Sequence, residues 1–104
     1  MLEVVQRAVA WLMNHVREAS LDRAAQALGV SMRSLQRGLR DADTSFQAEL
    51  KQAQLDAAQR MLRETDAAIT RIAVDLGFSP AHFSALFRSA TGLSPSAWRD
   101  KLKG

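Results

Sequence analysis

At 104 residues, 47% hydrophobic and 24% charged, the chain has the composition of an ordinary folded protein with room for one modest core and not for two independent ones. The net charge is +3, and 11 of the 14 cations are arginine, the side chain whose fork matches phosphate and guanine. Cysteine is absent, which excludes disulfides, thiolate metal sites and cysteine nucleophiles together.

Few residues are β-branched and no segment alternates at period two, so an all-α fold is expected. A first helix is predicted over residues 2–18, with Leu2, Val5, Val9, Leu12, Met13 and Val16 as its apolar stripe. Ser20 is suited to cap a second helix through Leu28, with Asp22 favouring its positive end. Gly29 supplies the left-handed residue that a tight helix-to-helix turn needs. Ser31 caps a third helix from Met32 to about residue 42. Gly38 inside it costs about 1 kcal/mol relative to Ala, and the sequence offers no reason for it. Thr44-Ser45-Phe46-Gln47 then reads as a capping box, with Thr44 at the cap.

The fourth helix, about residues 44–63, is long and free of Gly and Pro. Phe46, Leu50, Ala53, Ala57 and Met61 form one apolar line along it; Leu55, Ala58 and Leu62 form another. A helix apolar on two sides suits a connector packed between two bodies. A fifth helix over about 68–76 ends at Gly77. Ser79-Pro80 opens a sixth, with Pro at its first position, and Gly92 stops it near Thr91. Ser94-Pro95 opens a seventh that runs to about residue 102.

Two of these helix pairs are copies of one another at a constant offset of 48 residues. Leu28-Gly29-Val30-Ser31 recurs as Leu76-Gly77-Phe78-Ser79, and Arg23, Ala25, Leu35, Leu39 and Arg40 recur as Arg71, Ala73, Phe83, Phe87 and Arg88. A repeated unit of short helix, glycine turn and serine-opened helix is the signature of the helix-turn-helix, which lays its second helix in a DNA major groove. The expected fold is therefore seven helices in two helix-turn-helix subdomains joined by a long central helix. The expected organisation is a single DNA-binding domain over 1–104, with the first motif at about 20–42, the connector at about 44–63 and the second motif at about 68–91.

At about 100° per residue, Met32, Leu35 and Leu39 fall on one side of the third helix, and Arg33, Gln36, Arg37 and Arg40 on another. Arg matches guanine and Gln matches adenine, so this face is the candidate for reading bases, with Ser34 beside it. In the sixth helix Phe83, Leu86 and Phe87 point inward. The positions equivalent to Arg33, Ser34 and Arg37 are Ala81, His82 and Ala85. Alanine can touch a thymine methyl but makes no bidentate pair. His82 is either a donor to DNA or an ordinary surface histidine. Ser31, Arg40, Ser79 and Arg88 are the candidates for phosphate contact.

A connector of about 19 residues spans ~30 Å, close to the ~34 Å between major-groove segments on one DNA face. Trp11 and Trp98 are expected to fill core or interface space. Arg71 and Asp75 form an i, i+4 pair worth tenths of a kcal/mol. Arg99 and Lys101 either pack or touch DNA backbone; the sequence leaves both open.

The chain resembles the DNA-binding domain of the AraC/XylS family of bacterial transcription regulators over essentially its whole length. The resemblance is carried by Ile72-Ala73, Gly77-Phe78, Phe83, Phe87, Gly92, Ser94-Pro95 and Trp98-Arg99. The run Arg33-Ser34-Leu35-Gln36-Arg37 and Thr44-Ser45-Phe46-Gln47 is similar to a subgroup carrying an N-terminal effector domain. The resemblance implies base reading by Arg33, Gln36 and Arg37 in one recognition helix and by Ala81, His82 and Ala85 in the other. Between Gly77-Phe78 and Phe83 the chain is one residue shorter than the family's usual spacing, and its second reading face lacks Arg and Gln.

The function expected from these readings is sequence-specific control of transcription, more often activation, through double-stranded DNA and RNA polymerase. An N-terminal effector and dimerisation domain is expected to accompany the domain in a longer protein. No cofactor and no metal are expected, and no membrane partner, since no apolar run reaches the length of a span and no signal-peptide pattern opens the chain. The location is then the bacterial cytoplasm, at the nucleoid. The rival reading is a helical protein-interaction domain that keeps the fold without reading DNA. An enzyme is disfavoured, because paired carboxylates, a nucleophile with its base and a phosphate loop are all missing.

Overall fold

A computed structural model describes residues 2–103. The side chain of Leu2, counted above in the first apolar stripe, lies outside the described residues, as do Met1 and Gly104. Seven helices are present: α1 Leu2–Asn14, α2 Leu21–Leu28, α3 Met32–Asp41, α4 Phe46–Glu64, α5 Ile69–Asp75, α6 Pro80–Thr91 and α7 Pro95–Lys103, with no strand among the described residues. The chain divides into two compact units whose boundary falls between Gln54 and Leu55, inside α4.

In the first unit α3 packs against α1 and α2. The core is built from Val5, Ala8 and Leu12 of α1, Ala24, Ala25 and Leu28 of α2, Leu35 and Leu39 of α3, and Phe46 and Ala53 of α4. Gly38 is buried on the same face of α3 as Leu35 and Leu39.

α1 is shorter than its apolar spacing predicts. His15 donates its backbone N–H to the Leu12 carbonyl at 3.1 Å, three residues back, which tightens the last turn. Its ring Nδ1 lies 2.7 Å from the Trp11 carbonyl, the acceptor a continuing helix would have used, and the ring stacks on Trp11 with centroids 4.5 Å apart. A turn closed by the Glu18 N–H on the His15 carbonyl follows. Val16 still packs against the core from this turn. Met13, expected in the stripe, is 52% exposed; Ala8 takes an inward position instead.

The start of α4 is also corrected. Asp43 adopts a left-handed φ of 59°, and the Asp43 and Thr44 N–H groups donate back to the Arg40 and Leu39 carbonyls, each at 2.9 Å. This closes α3 as a glycine would, with the short polar Asp side chain tolerating the left-handed region. Thr44 is therefore still completing the previous helix. Ser45 caps α4 by accepting the Ala48 N–H at 3.1 Å, so the capping box expected from Thr44 to Gln47 does not form.

The second unit buries Ile72, Ala73 and Leu76 of α5 and its short exit, with Phe83 and Phe87 of α6 fully enclosed. An aromatic row runs through it: Phe78 to Phe83 at 6.0 Å, Phe83 to Phe87 at 5.8 Å, and Phe87 edge-on to Trp98 at 5.7 Å. Leu86, expected inward, is half-buried. No helix is long and apolar enough to cross a membrane among the described residues.

Arg99 resolves the choice left open for it. Its guanidinium donates to three backbone carbonyls where α4 ends: Leu62 at 3.2 Å, Ala67 at 2.6 Å and Thr65 at 3.3 Å. Carbonyls at a helix C-terminus lack intrahelical donors and carry partial negative charge, so a forked cation satisfies them well. Arg99→Ala is expected to lower stability by about 1–3 kcal/mol, since it strips a charged donor from half-buried acceptors. Urea unfolding measures this, and Arg99→Lys should recover only part of it because a point charge cannot span three carbonyls. An unchanged urea midpoint in Arg99→Ala would show that the clamp contributes nothing.

Candidate nucleic-acid interface

The repeat seen in the sequence builds the same turn twice. In the first unit Gly29 has φ 71°, its N–H donates to the Gln26 carbonyl at 3.2 Å, and the Val30 N–H donates to the Ala25 carbonyl at 3.0 Å. In the second, Gly77 has φ 89°, and the matching bonds run from Gly77 to Val74 at 3.0 Å and from Phe78 to Ala73 at 2.9 Å. Both are Schellman closures, which need a left-handed residue and place an apolar residue after it against the helix just ended. Val30 packs on the first core and Phe78 on Phe83.

Each turn delivers the chain to a serine that starts the next helix. Ser31 Oγ accepts the Ser34 N–H at 3.0 Å, and Ser79 Oγ accepts the His82 N–H at 3.3 Å. The Ser31 hydroxyl also donates to Ser34 Oγ at 3.0 Å, so the donor expected to meet a phosphate is engaged within the cap. Ser34 is half-buried and held by this bond. A distant arginine, which the sequence did not single out, steadies the first turn: Arg7 of α1 donates to the Leu28 carbonyl at 3.1 Å. It is 21 residues away, so no local spacing rule reveals it.

On α3 the inner and outer faces separate as expected, with one exception. Leu35 and Leu39 are buried, while Arg33, Gln36, Arg37 and Arg40 are exposed and together line one shallow surface hollow. Among the described residues the side chains of these three arginines make no hydrogen bond or ion pair. The exception is Met32, expected inward, which is 46% exposed. As the first residue of α3 it lies beyond the turn that Leu35 and Leu39 bury.

The outer face of α6 is different in kind. Ala81, His82 and Ala85 are exposed, as is Arg88 in the last turn. The His82 ring rests edge-on against Phe78 with centroids 5.3 Å apart. The motifs share another feature, an ion-paired arginine on their first helix: Arg23 pairs with Glu18 at 3.4 Å and Arg71 with Asp75 at 3.3 Å. Both pairs are solvent-exposed and contribute little to stability. No group of three or more potential metal ligands occurs among the described residues.

Comparison with known proteins agrees with this geometry. A family model described as a helix-turn-helix domain matches residues 24–101. The transcriptional activator NphR of Rhodococcus sp is 36% identical over 96 residues, a match covering 91% of this chain and 28% of NphR. A transcriptional regulator from Chromobacterium violaceum, of the AraC-type DNA-binding domain-containing proteins, superposes with TM-score 0.88 at 27% identity, covering 96% of this chain and 92% of that one. The DNA-binding domain of AdpA, solved in complex with a target DNA, superposes with TM-score 0.79 at 28% identity, covering 94% of this chain and 90% of that one. Two glycine turns in register, each opening a serine-capped helix, and a match through both of them leave one conclusion: the chain belongs to the AraC/XylS family of helix-turn-helix transcriptional regulators and corresponds to its DNA-binding domain.

Proposed function

We propose that α3 and α6 enter successive major-groove segments of one duplex, and that the first motif carries most of the sequence discrimination. The observation that carries this reading is the α3 outer face. Four exposed side chains with fork or amide chemistry stand together there, and the side chains of its three arginines have no partner among the described residues. A guanidinium left unpaired by its own fold is free to pair with guanine or phosphate without breaking anything first. Arg33, Gln36 and Arg37 are assigned to base edges with Ser34 at the margin, and Arg40 to phosphate. On α6, Ala81 and Ala85 offer methyl contacts to thymine, His82 a single donor, and Arg88 a phosphate contact. Ser79 keeps its hydroxyl proton for phosphate, whereas Ser31 has to give up its bond to Ser34 to do the same.

We further infer that both units serve as one DNA-binding domain within a cytoplasmic activator, alongside an effector and dimerisation domain, with RNA polymerase as the protein partner. Activation is what the name of NphR states for that protein. The family is one of transcription regulators and not of enzymes.

Selection of bound DNA from a random pool tests the reading. The expected result is one sharp box and, about one helical turn away, a weaker box leaning to A·T, because α6 has methyl groups where α3 has forks. Arg33→Ala and Arg37→Ala should each erode the sharp box far more than His82→Ala or Ala81→Gly erodes the weak one. Two equally sharp boxes would overturn the assigned asymmetry. Binding without any sequence preference would favour a domain that keeps the fold without reading DNA.

A further inference from the structure

We propose that Met32 is a base-reading residue that recognises a thymine through its C5-methyl group, so that one thymine in the first box is specified by an apolar contact. The inference rests on the DNA-reading role proposed for α3.

Its basis is where Met32 stands and what surrounds it. At about 100° per residue the exposed residues of α3 fall into two i, i+4 ridges. Met32, Gln36 and Arg40 make one; Arg33, Arg37 and Asp41 make the other. Met32, Gln36, Arg40, Arg33 and Arg37 lie within one arc of about 140°, with Met32 at the edge that adjoins the buried Leu39, while the buried Leu35 and Gly38 lie on the far side. Met32 thus stands on the border of the outward face, one turn ahead of Gln36, and is 46% exposed there although its hydropathy suits the core. It sits at the first helical position, directly after the Ser31 cap, and the N-terminal residues of a recognition helix are those that meet base edges.

The chemistry of the side chain then selects its target. A thioether has no donor and is a weak acceptor, so it cannot read guanine, cytosine or adenine by hydrogen bonds. The thymine methyl is the one apolar group in the major groove. Met is unbranched and flexible enough to follow a methyl group across a few ångströms. A glutamine one turn on, suited to adenine, places the two halves of A·T recognition on a single ridge, beside an arginine ridge suited to guanine.

The experiment replaces each thymine of the selected sharp box with deoxyuridine, one position at a time, and measures the affinity of the 104-residue chain and of its Met32→Ala and Arg37→Ala variants. Uracil differs from thymine only by the missing methyl. The wild-type chain should lose about fourfold at one position, the value of burying a single methyl-sized group. Met32→Ala should bind the thymine site about as weakly as the wild type binds the deoxyuridine site, and should show no further loss on that replacement. Circular dichroism should be unchanged, because Met32 is exposed.

A wild-type chain indifferent to every replacement would overturn the proposal, as would a loss that persists undiminished in Met32→Ala. Arg37→Ala separates this failure from that of the wider reading. If Arg37→Ala still relaxes discrimination at its own base pair, α3 reads DNA without Met32. If neither variant alters discrimination, the α3 reading and the Met32 proposal fall together.

Discussion

Arg37→Ala is expected to lose about 1–3 kcal/mol on the preferred site and to relax preference at a single base pair. The size of the effect follows from what Arg37 does not do. It is exposed and has no partner among the described residues, so its removal neither opens the core nor strands a buried group. Leu35 and Leu39 continue to anchor α3, and alanine favours a helix interior at least as well as arginine. The change in affinity therefore reports the interface alone, and a urea midpoint equal to the wild type checks that premise. Arg40→Ala is the matched contrast. It should weaken binding by a similar factor on every sequence and flatten the salt dependence by about one counterion. If Arg37→Ala also weakens all sequences equally, Arg37 is a phosphate contact; if it changes nothing, it does not touch DNA.

What was legible in the sequence is what local chemistry encodes. Gly29 and Gly77 mark left-handed turns because only a residue without a Cβ enters that region freely, and both are found there. Ser20, Ser31, Ser79 and Ser94 cap helices because a hydroxyl after an extended residue reaches the third N–H on, and each one does. Residues that depend on partners elsewhere in the chain were not legible. Arg7 and Arg99 hold carbonyls 21 and 32–37 residues away. Nothing near them in sequence announces those bonds, although Arg99 does stand beside Trp98 in the family motif.

The helical wheel failed in one recognisable way. It gives the angle of a side chain about its helix but not the depth of the neighbour facing it. Met13 and Met32 both lie at a helix end, where a side chain angled inward or on the border of the inner face meets solvent because the opposing helix no longer covers it. At Asp43 the left-handed turn was hidden because aspartate stood where glycine usually signals it. That substitution moved the start of α4 by one residue and removed the expected capping box. The exposed basic face of α3 was visible in the sequence because its separation from Leu35 and Leu39 follows from helical spacing alone.

Gln54→Pro is expected to produce the largest loss of binding of any single substitution considered, and to produce it selectively. α4 runs unbroken from Phe46 to Glu64, and the boundary between the two compact units falls immediately after Gln54. Proline there removes one helical hydrogen bond and collides with the preceding turn, at a cost of about 3 kcal/mol or more, with a kink as the alternative to unfolding. Each unit keeps its own buried residues, Leu35 and Leu39 in the first and Phe83 and Phe87 in the second, so the helix-turn-helix motifs should survive as local structures. Under the proposed mode of binding the connector fixes the spacing of two recognition helices, and a long site then holds both only while the connector is intact. The effective concentration of the second motif at its box collapses when that geometry is lost. Affinity for a full-length site should thus fall steeply, towards that of a half-site carrying only the first box, while half-site affinity changes little. Circular dichroism first establishes that the variant is still helical. Gln54→Ala, a helix-compatible change at the same position, should leave both affinities close to wild type and so assign the loss to the backbone. A fall of equal size on both DNAs would mean that the connector sets no distance, and the two-groove mode of binding would have to be abandoned.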